Sequence, residues 1–228
     1  MPTATETFTG FRPEAIQFLA DLAANNERAW FQPRKADYER LLKQPLEALC
    51  VALAERFEAR GIPLTADPAR SPFRIYRDVR FSKDKSPYKT NIGASFPWTG
   101  GGDSVPVGYF HLEPGEAFTG GGLWHPEPAR LSAFRRLLDT DPGRVHAVID
   151  QPAFVATFGR LMGDQLTRVP QGYRSDHPEA DLLKLKDITF SHRLSDADLF
   201  SPELPDRLVA SLETAVPAMR LLATLHAT

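Results

Sequence analysis

From Pro72 to Trp124 the chain runs in short aromatic or β-branched stretches cut apart by Gly, Pro and Asp: Phe73–Tyr76, Ile92–Trp98, Val105–Leu112 and Ala117–Trp124. Stretches of this kind between turn residues predict a meander of antiparallel strands. Residues 99–106 read as a loop and Glu113–Glu116 as a tight turn. On either side the apolar period becomes helical. Pro13 suits a first helical position, Phe11 and Ile16 are placed to form a hydrophobic staple, and Ile16, Leu19, Ala20 and Ala23 make one apolar face before Asn25–Asn26 ends the helix. A second helical stretch is expected from Pro33 to about Arg60, with Tyr38, Leu42, Leu46, Leu49, Leu53 and Phe57 as its buried stripe and Gly61 as its stop. Pro45 predicts a kink or break inside it. Further helices are expected over Glu127–Leu138, Pro142–Gln151 and Pro152–Leu161, then a short one from Pro178. A strand over Ile188–Arg193 and a last helix from Pro202, capped by Ser201 and bent at Pro217, complete the pattern. Helices flanking a central block of strands imply an α+β layer fold: a central antiparallel sheet (about 72–124 plus 187–193) packed with N-terminal, middle and C-terminal helices, not alternating βαβ units.

Nothing in the composition divides the chain. It has neither a low-complexity linker nor a repeat, so residues 1–228 read as a single domain. An apolar fraction of 42% with 25% charged residues is that of an ordinary globular protein. The net charge of -2 gives no global pull toward nucleic acid or an anionic membrane. Cys50, the only cysteine, excludes an intrachain disulfide and falls at helical spacing among leucines, as a buried and inert thiol does. Met1–Gly10 lacks the basic and apolar regions of a secretory signal, and no apolar run is long enough to span a bilayer, so a cytoplasmic location without a membrane partner is expected.

The charge is unevenly placed. Arg70–Lys89 carries Arg70, Arg74, Arg77, Arg80, Lys83, Lys85 and Lys89 against Asp78 and Asp84, a local +5 in a chain of net -2. Guanidinium forks bind carboxylate and phosphate bidentately. If residues 73–81 formed one extended strand, Arg77 would share a face with Phe73, Ile75, Val79 and Phe81 and would need a partner for its charge. Either the strand breaks near Arg77, or Arg77 faces an anion or carboxylate. Three readings follow: a lattice of internal ion pairs with Asp78, Asp84 or Glu113; a site for a small anion; or, less favoured, a nucleic-acid surface on which Tyr76, Phe81 and Tyr88 stack on bases.

A second cluster adjoins the first in sequence. His111 and Glu113 lie two apart on one face of a strand, which suits an imidazole acting as acid–base group with a carboxylate to orient it. With His125 they also outline an open metal site, although the spacing matches no metal motif. Gly120–Gly122 is not a phosphate loop, because no Gly-Lys-Ser/Thr follows; the glycines permit a bulge or a close backbone approach, with Trp124 as a pocket wall in the functional alternative. Tyr173 and His177 sit in a turn feeding a helix, where capping competes with a reach toward the basic surface.

The motifs Phe8–Phe11, Asn25–Phe31, Arg74–Thr90, Gly108–Pro114, Gly120–Trp124 and Gly172-Tyr173 with His177-Pro178 together resemble a family of conserved hypothetical proteins, domain of unknown function 2461. The resemblance covers nearly the whole chain and implies one domain of about this length. It supplies no reaction, substrate or cofactor, and no catalytic residue carries over. A histidine or similar residue is expected where Asn91 stands, which argues against a catalytic role at that position. The resulting expectation is a binding site for a small phosphate- or carboxylate-bearing ligand, with Arg74, Tyr76, Arg77, Arg80, Lys83, Lys89, Trp124 and His177 binding and His111 and Glu113 as the acid–base pair of a possible enzyme. A nucleic-acid or protein interaction module and a metal-dependent hydrolase or oxygenase stay open as alternatives; cofactor and oligomeric state are not legible.

Overall fold

A computed structural model describes residues 7–80, 82–100 and 105–225. Phe81 and the middle of the expected 99–106 loop lie outside them. The elements run α1 (Pro13–Ala24), α2 (Arg28–Phe31), a 3-10 turn (Gln32–Arg34), α3 (Lys35–Tyr38), a π-helical turn (Glu39–Lys43), α4 (Gln44–Arg60), β1 (Ile92–Pro97), β2 (Val107–Glu113), β3 (Glu116–Leu123), α5 (Pro128–Thr140), α6 (Pro142–Ile149), α7 (Pro152–Phe158), α8 (Ala180–Leu183), β4 (Ile188–Arg193), α9 (Asp196–Leu199) and α10 (Leu204–Ala223). The fold class is α+β, and the strands form one antiparallel sheet in the order β1-β2-β3-β4. No described helix is long and apolar enough to cross a membrane.

The prolines leave visible marks on the backbone. Pro45 has no N–H to give the Leu41 carbonyl, and its ring would crowd that carbonyl. The chain answers with a π-helical turn just upstream, in which the Gln44 N–H bonds back to Glu39. The expected interruption is therefore a widened turn, and helix resumes through α4 until Gly61, whose φ of 62° makes it the left-handed stop. Pro217 lies inside α10, which continues past it to Ala223.

Backbone packing resolves two compact units. The first comprises the described residues up to Phe96 with Tyr109–Thr119 and Arg193–Val209. Its core joins the inner residues of β1 (Ile92, Ala94, Phe96) and β2 (Phe110, Leu112) with α1 and α4. Phe11 stacks on Phe110 at 5.8 Å, and Phe57 meets Phe96 edge-on at 5.8 Å. The buried face of α1 is Ala15, Phe18, Leu19 and Leu22, one position round from the expected stripe; Ala23 is exposed. Phe18 decides that rotation, because its ring packs against Trp30, Phe31 and Tyr38. Cys50 is fully buried, and burial pushes its thiol up to about 12.

The second unit comprises Pro97–Gly108, Gly120–His192 and the described residues from Ala210 onward. Phe190 of β4 packs between Phe154 and Phe158 of α7 at 5.4 and 4.8 Å. Gly120 and Gly122 explain the glycine run. A Cβ at Gly120 would fall on the Phe190 carbonyl oxygen, and one at Gly122, where φ is 119°, on that of Ile188. The close approach these glycines permit is that of their own neighbouring strand. Gly122→Ala is therefore expected to lower the unfolding free energy by at least about 1–3 kcal/mol. Gly143→Ala, whose new methyl meets nothing closer than Asp141 at 3.7 Å, should be neutral or mildly stabilising. Urea unfolding of both variants checks the contrast.

Candidate functional site

The basic stretch does not form the regular strand its alternation suggested. It makes isolated bridges, Pro72 with Ala94 and Tyr76 with Tyr88, so the chain leaves the edge of β1 and folds back on itself as an irregular hairpin. The Arg77 N–H bonds to the Pro87 carbonyl at 2.9 Å and the Lys89 N–H to Ile75 at 2.7 Å. Asn26 clamps the returning arm: its Nδ2 donates to the Tyr88 carbonyl at 2.9 Å, and its Oδ1 accepts the Tyr88 N–H at 3.0 Å. The Tyr88 ring is buried against Phe31, with centroids 4.1 Å apart. An asparagine side chain here does the work of a neighbouring strand.

Within the hairpin several charges are already met. Arg77 pairs with Asp84, and this bond, aided by Ser86, holds the Asp84 carboxyl well below the usual carboxylate range. Arg80 pairs with Asp78 at 2.7 Å and lowers its carboxyl likewise. Lys85 donates to the Val79 carbonyl at 2.9 Å, and Lys83 is exposed. Lys89 is different. Among the described residues no carboxylate lies within ion-pair distance of it; its Nζ instead sits 5.0 Å from the centroid of the Phe73 ring. Burial pushes its ammonium below the ordinary lysine range, and Arg74 nearby adds to the shift. A surface pocket of about 400 Å³ is lined by Arg77, Asp84, Ser86, Lys89, Thr90 and Asn91, among others.

Beside it stands the outer face of β2, on which Tyr109, His111 and Glu113 alternate with the buried Gly108, Phe110 and Leu112. His111 Nδ1 lies 3.0 Å from the Tyr109 hydroxyl and 3.2 Å from Asn91 Nδ2, and its Nε2 lies 3.6 Å from Glu113. Its ring stacks on Phe118 at 4.8 Å. Burial holds the imidazole below its ordinary value, against the opposing pull of Glu113 and Glu116. Burial and Glu113 raise the Tyr109 phenol to about 12.

The residues picked from sequence thus separate. Arg74, Tyr76, Arg77, Arg80, Lys83, Lys89, His111 and Glu113 belong to the first unit; Trp124 and His177 belong to the second. Trp124 is 72% exposed and tilts over His125 at 4.4 Å. His125 has a backbone φ of 49° and pairs through both its N–H and its ring with the buried Asp187. His177 bonds the turn before α8, its Nδ1 accepting the Glu179 N–H at 3.0 Å while its Nε2 faces Asp139 at 3.2 Å. Among the described residues no group of three His, Cys, Asp or Glu side chains is arranged to hold a metal ion. Sequence reasoning passed over Tyr109 and Asn26 and set Asn91 aside. Tyr109 had a signal, since it precedes His111 by two in a strand; Asn26 had none, because its partner is 62 residues away.

A family model described as Conserved hypothetical protein (DUF2461) matches residues 14–220. The chain belongs to that family. No curated protein and no solved structure matches it. In this DUF2461 chain the match takes in the Asn26 clamp, the basic hairpin and the outer face of β2, so all three belong to the family region.

Two expectations follow. Asn26→Ala strips partners from two half-buried backbone groups, so unfolding free energy should fall by roughly 1–3 kcal/mol and the Tyr88 amide should exchange faster with solvent. The pH dependence should split between two histidines of opposite sign. The His111 value is depressed on folding, so its contribution is present above about 6.5, the unfolded value, and is lost as pH falls through the folded one. Glu179 and then Asp150 raise the His146 value, so its contribution is present below about 6.5 and is lost as pH rises through the folded one. His111→Gln should flatten the acid limb of stability against pH and His146→Gln the neutral limb, read by urea unfolding across that range.

Proposed function

We propose that the chain binds a small anionic ligand, phosphate- or carboxylate-bearing, in the pocket beside the basic hairpin, and that His111 with Glu113 serves as the acid–base pair there. The observation that carries this reading is Lys89: a half-buried ammonium on a pocket wall, with Arg74 near and no carboxylate partner among the described residues. Desolvating an ammonium is unfavourable, and a neighbouring cation makes it more so. The Phe73 ring offsets only about 0.5–1 kcal/mol at a site open to water. A bound anion would relieve both penalties at once. Arg77 lines the same pocket with its guanidinium directed by Asp84, so a ligand meets a fork already oriented. Thr90 and Asn91 supply neutral hydrogen-bonding groups on the same wall.

Arg80 supports the reading less, because Asp78 already occupies its fork. Arg77 and Lys89 are the informative positions. A thermal-shift series with inorganic phosphate, nucleotides and dicarboxylates is the direct test. A ligand at about 100 times its Kd adds about 2.7 kcal/mol of stability, which raises Tm by roughly 5–10 °C in a protein this size. The expected outcome is a shift with one anion class that is lost in Lys89→Ala and weakened in Arg77→Ala. A flat series across all three classes, or a shift unchanged in both variants, would sink the proposal.

A further inference from the structure

The outer face of β2 holds more than a histidine and its carboxylate. Tyr109, His111 and Glu113 stand in a row, because side chains two apart in a strand share a face. The hydrogen bonds along the row have a direction. Asn91 Nδ2, 3.2 Å from His111 Nδ1, is an amide nitrogen and can only donate. Nδ1 therefore presents its lone pair, the ring proton sits on Nε2 toward Glu113, and the Tyr109 hydroxyl at 3.0 Å donates to Nδ1 as well. A hydroxyl, a base placed to accept its proton and a carboxylate 3.6 Å from the other nitrogen of that base resemble the arrangement by which nucleophiles and proton carriers are activated, here with a phenol at the end.

The phenol's position is built into the neighbouring strand. A Cβ on Gly93 of β1 would meet the Tyr109 hydroxyl oxygen at 2.7 Å and its ring at 3.2 Å. The same Cβ would fall 2.9 Å from the Phe110 carbonyl oxygen, so the missing side chain serves the approach of β1 to β2 as well as the Tyr109 ring. Phe73 on one side, at 6.1 Å, and Phe118 on the other, at 5.7 Å, hold the ring, and Phe73 is also the ring over which Lys89 sits.

We propose that Tyr109 is the acid–base group that meets the ligand and that His111 and Glu113 act through it, on a small anion that itself carries a hydroxyl or is attacked by water beside its charge. The proton of that hydroxyl passes to the Tyr109 oxygen while Tyr109's own proton passes to His111 Nδ1. The electron pair of the broken O–H bond stays on the ligand or water oxygen, and the imidazolium so formed turns its Nε2–H to the Glu113 carboxylate. The reverse sequence returns the proton, and no other reactant is consumed. Burial keeps His111 neutral and ready to accept, while Glu113 on its own strand and Glu116 at the start of β3 face the charge that forms. This inference rests on the anion-binding reading for its substrate class and not for its proton path.

Nitrogen NMR of the full-length chain with isotope-labelled histidine separates the two. The His111 signal is assigned by its loss in His111→Gln. In the free wild-type protein near neutral pH the Nε2–H tautomer is expected, and Tyr109→Phe should move the Nδ1 resonance toward that of an unbonded lone pair. An Nδ1–H tautomer overturns the relay whether or not any anion binds. The second arm adds inorganic phosphate, whose dihydrogen form is a small anion with an ionisable hydroxyl. Phosphate is expected to produce the doubly protonated imidazole in wild type and not in Tyr109→Phe. Equal protonation in both would mean that charge alone moves the imidazole, and it overturns the relay; so does phosphate that raises Tm while His111 stays neutral. Phosphate that does not bind at all counts against the anion reading, and the tautomer in the free protein then decides the relay by itself.

Discussion

The pleat of β2 is the constraint on which both the first unit's core and its surface chemistry depend. Successive side chains leave a strand on opposite sides, so one seven-residue strand contributes Phe110 and Leu112 to the interior and Tyr109, His111 and Glu113 to the outer face. A slip of one residue in its pairing would bury a carboxylate, an imidazole and a phenol and expose Phe110 and Leu112. Phe110 holds the register through its stack on Phe11, and at Gly93 a Cβ would fall 2.7 Å from the Tyr109 hydroxyl and 2.9 Å from the Phe110 carbonyl oxygen. The outer face is thus ordered by the same contacts that stabilise the interior.

The basic segment shows how local charge density and available charge differ. A sequence count of seven cations against two carboxylates suggests a uniformly positive patch. In the folded hairpin the two carboxylates are each committed to one arginine, Asp84 to Arg77 and Asp78 to Arg80. These exposed pairs order the hairpin more than they stabilise it, as surface ion pairs in water do. What distinguishes Lys89 is desolvation without a carboxylate partner among the described residues, which no count of residues reveals. The ion-pair alternative is therefore realised at Arg77 and Arg80, while Lys89 is the position on which the proposed anion site rests.

Much of the architecture was legible because it depends on local period and punctuation. The strands β1 to β4, the stop at Gly61 and the starts of α1, α6 and α7 at prolines all follow from residues within a few positions of one another. What escaped depends on partners distant in sequence. The buried face of α1 is rotated because Phe18 meets Trp30, Phe31 and Tyr38. Residues 73–80 alternate like a strand yet form only bridges, their partners being the returning arm at residues 87–89, whose Tyr88 backbone Asn26 holds from the other side. The glycine run pointed to a close approach without naming the approaching groups, which are the β4 backbone at Gly120 and Gly122 and the β2 backbone at Gly121. In the site itself, His111 and Glu113 announced themselves by residue type and Tyr109 did not, since a tyrosine in a strand is ordinary until its hydroxyl is seen to share a nitrogen with Asn91.

Asn91 gives the last step. A histidine there would place a second titratable ring beside His111, and two imidazoles sharing one proton could exchange donor and acceptor roles. An amide nitrogen facing Nδ1 only donates, and this contact is what points to the Nε2–H tautomer proposed for His111. The asparagine at position 91 therefore bears on the proton of His111 without itself titrating. Because Asn91 also lines the pocket that contains Lys89 and Arg77, the residue that sets the proton's position is one a bound anion would touch. A ligand that drew the Asn91 amide toward itself would weaken one of the two bonds holding the Nδ1 lone pair and leave Tyr109 as its remaining donor, coupling occupancy of the basic pocket to the readiness of His111 to take a proton.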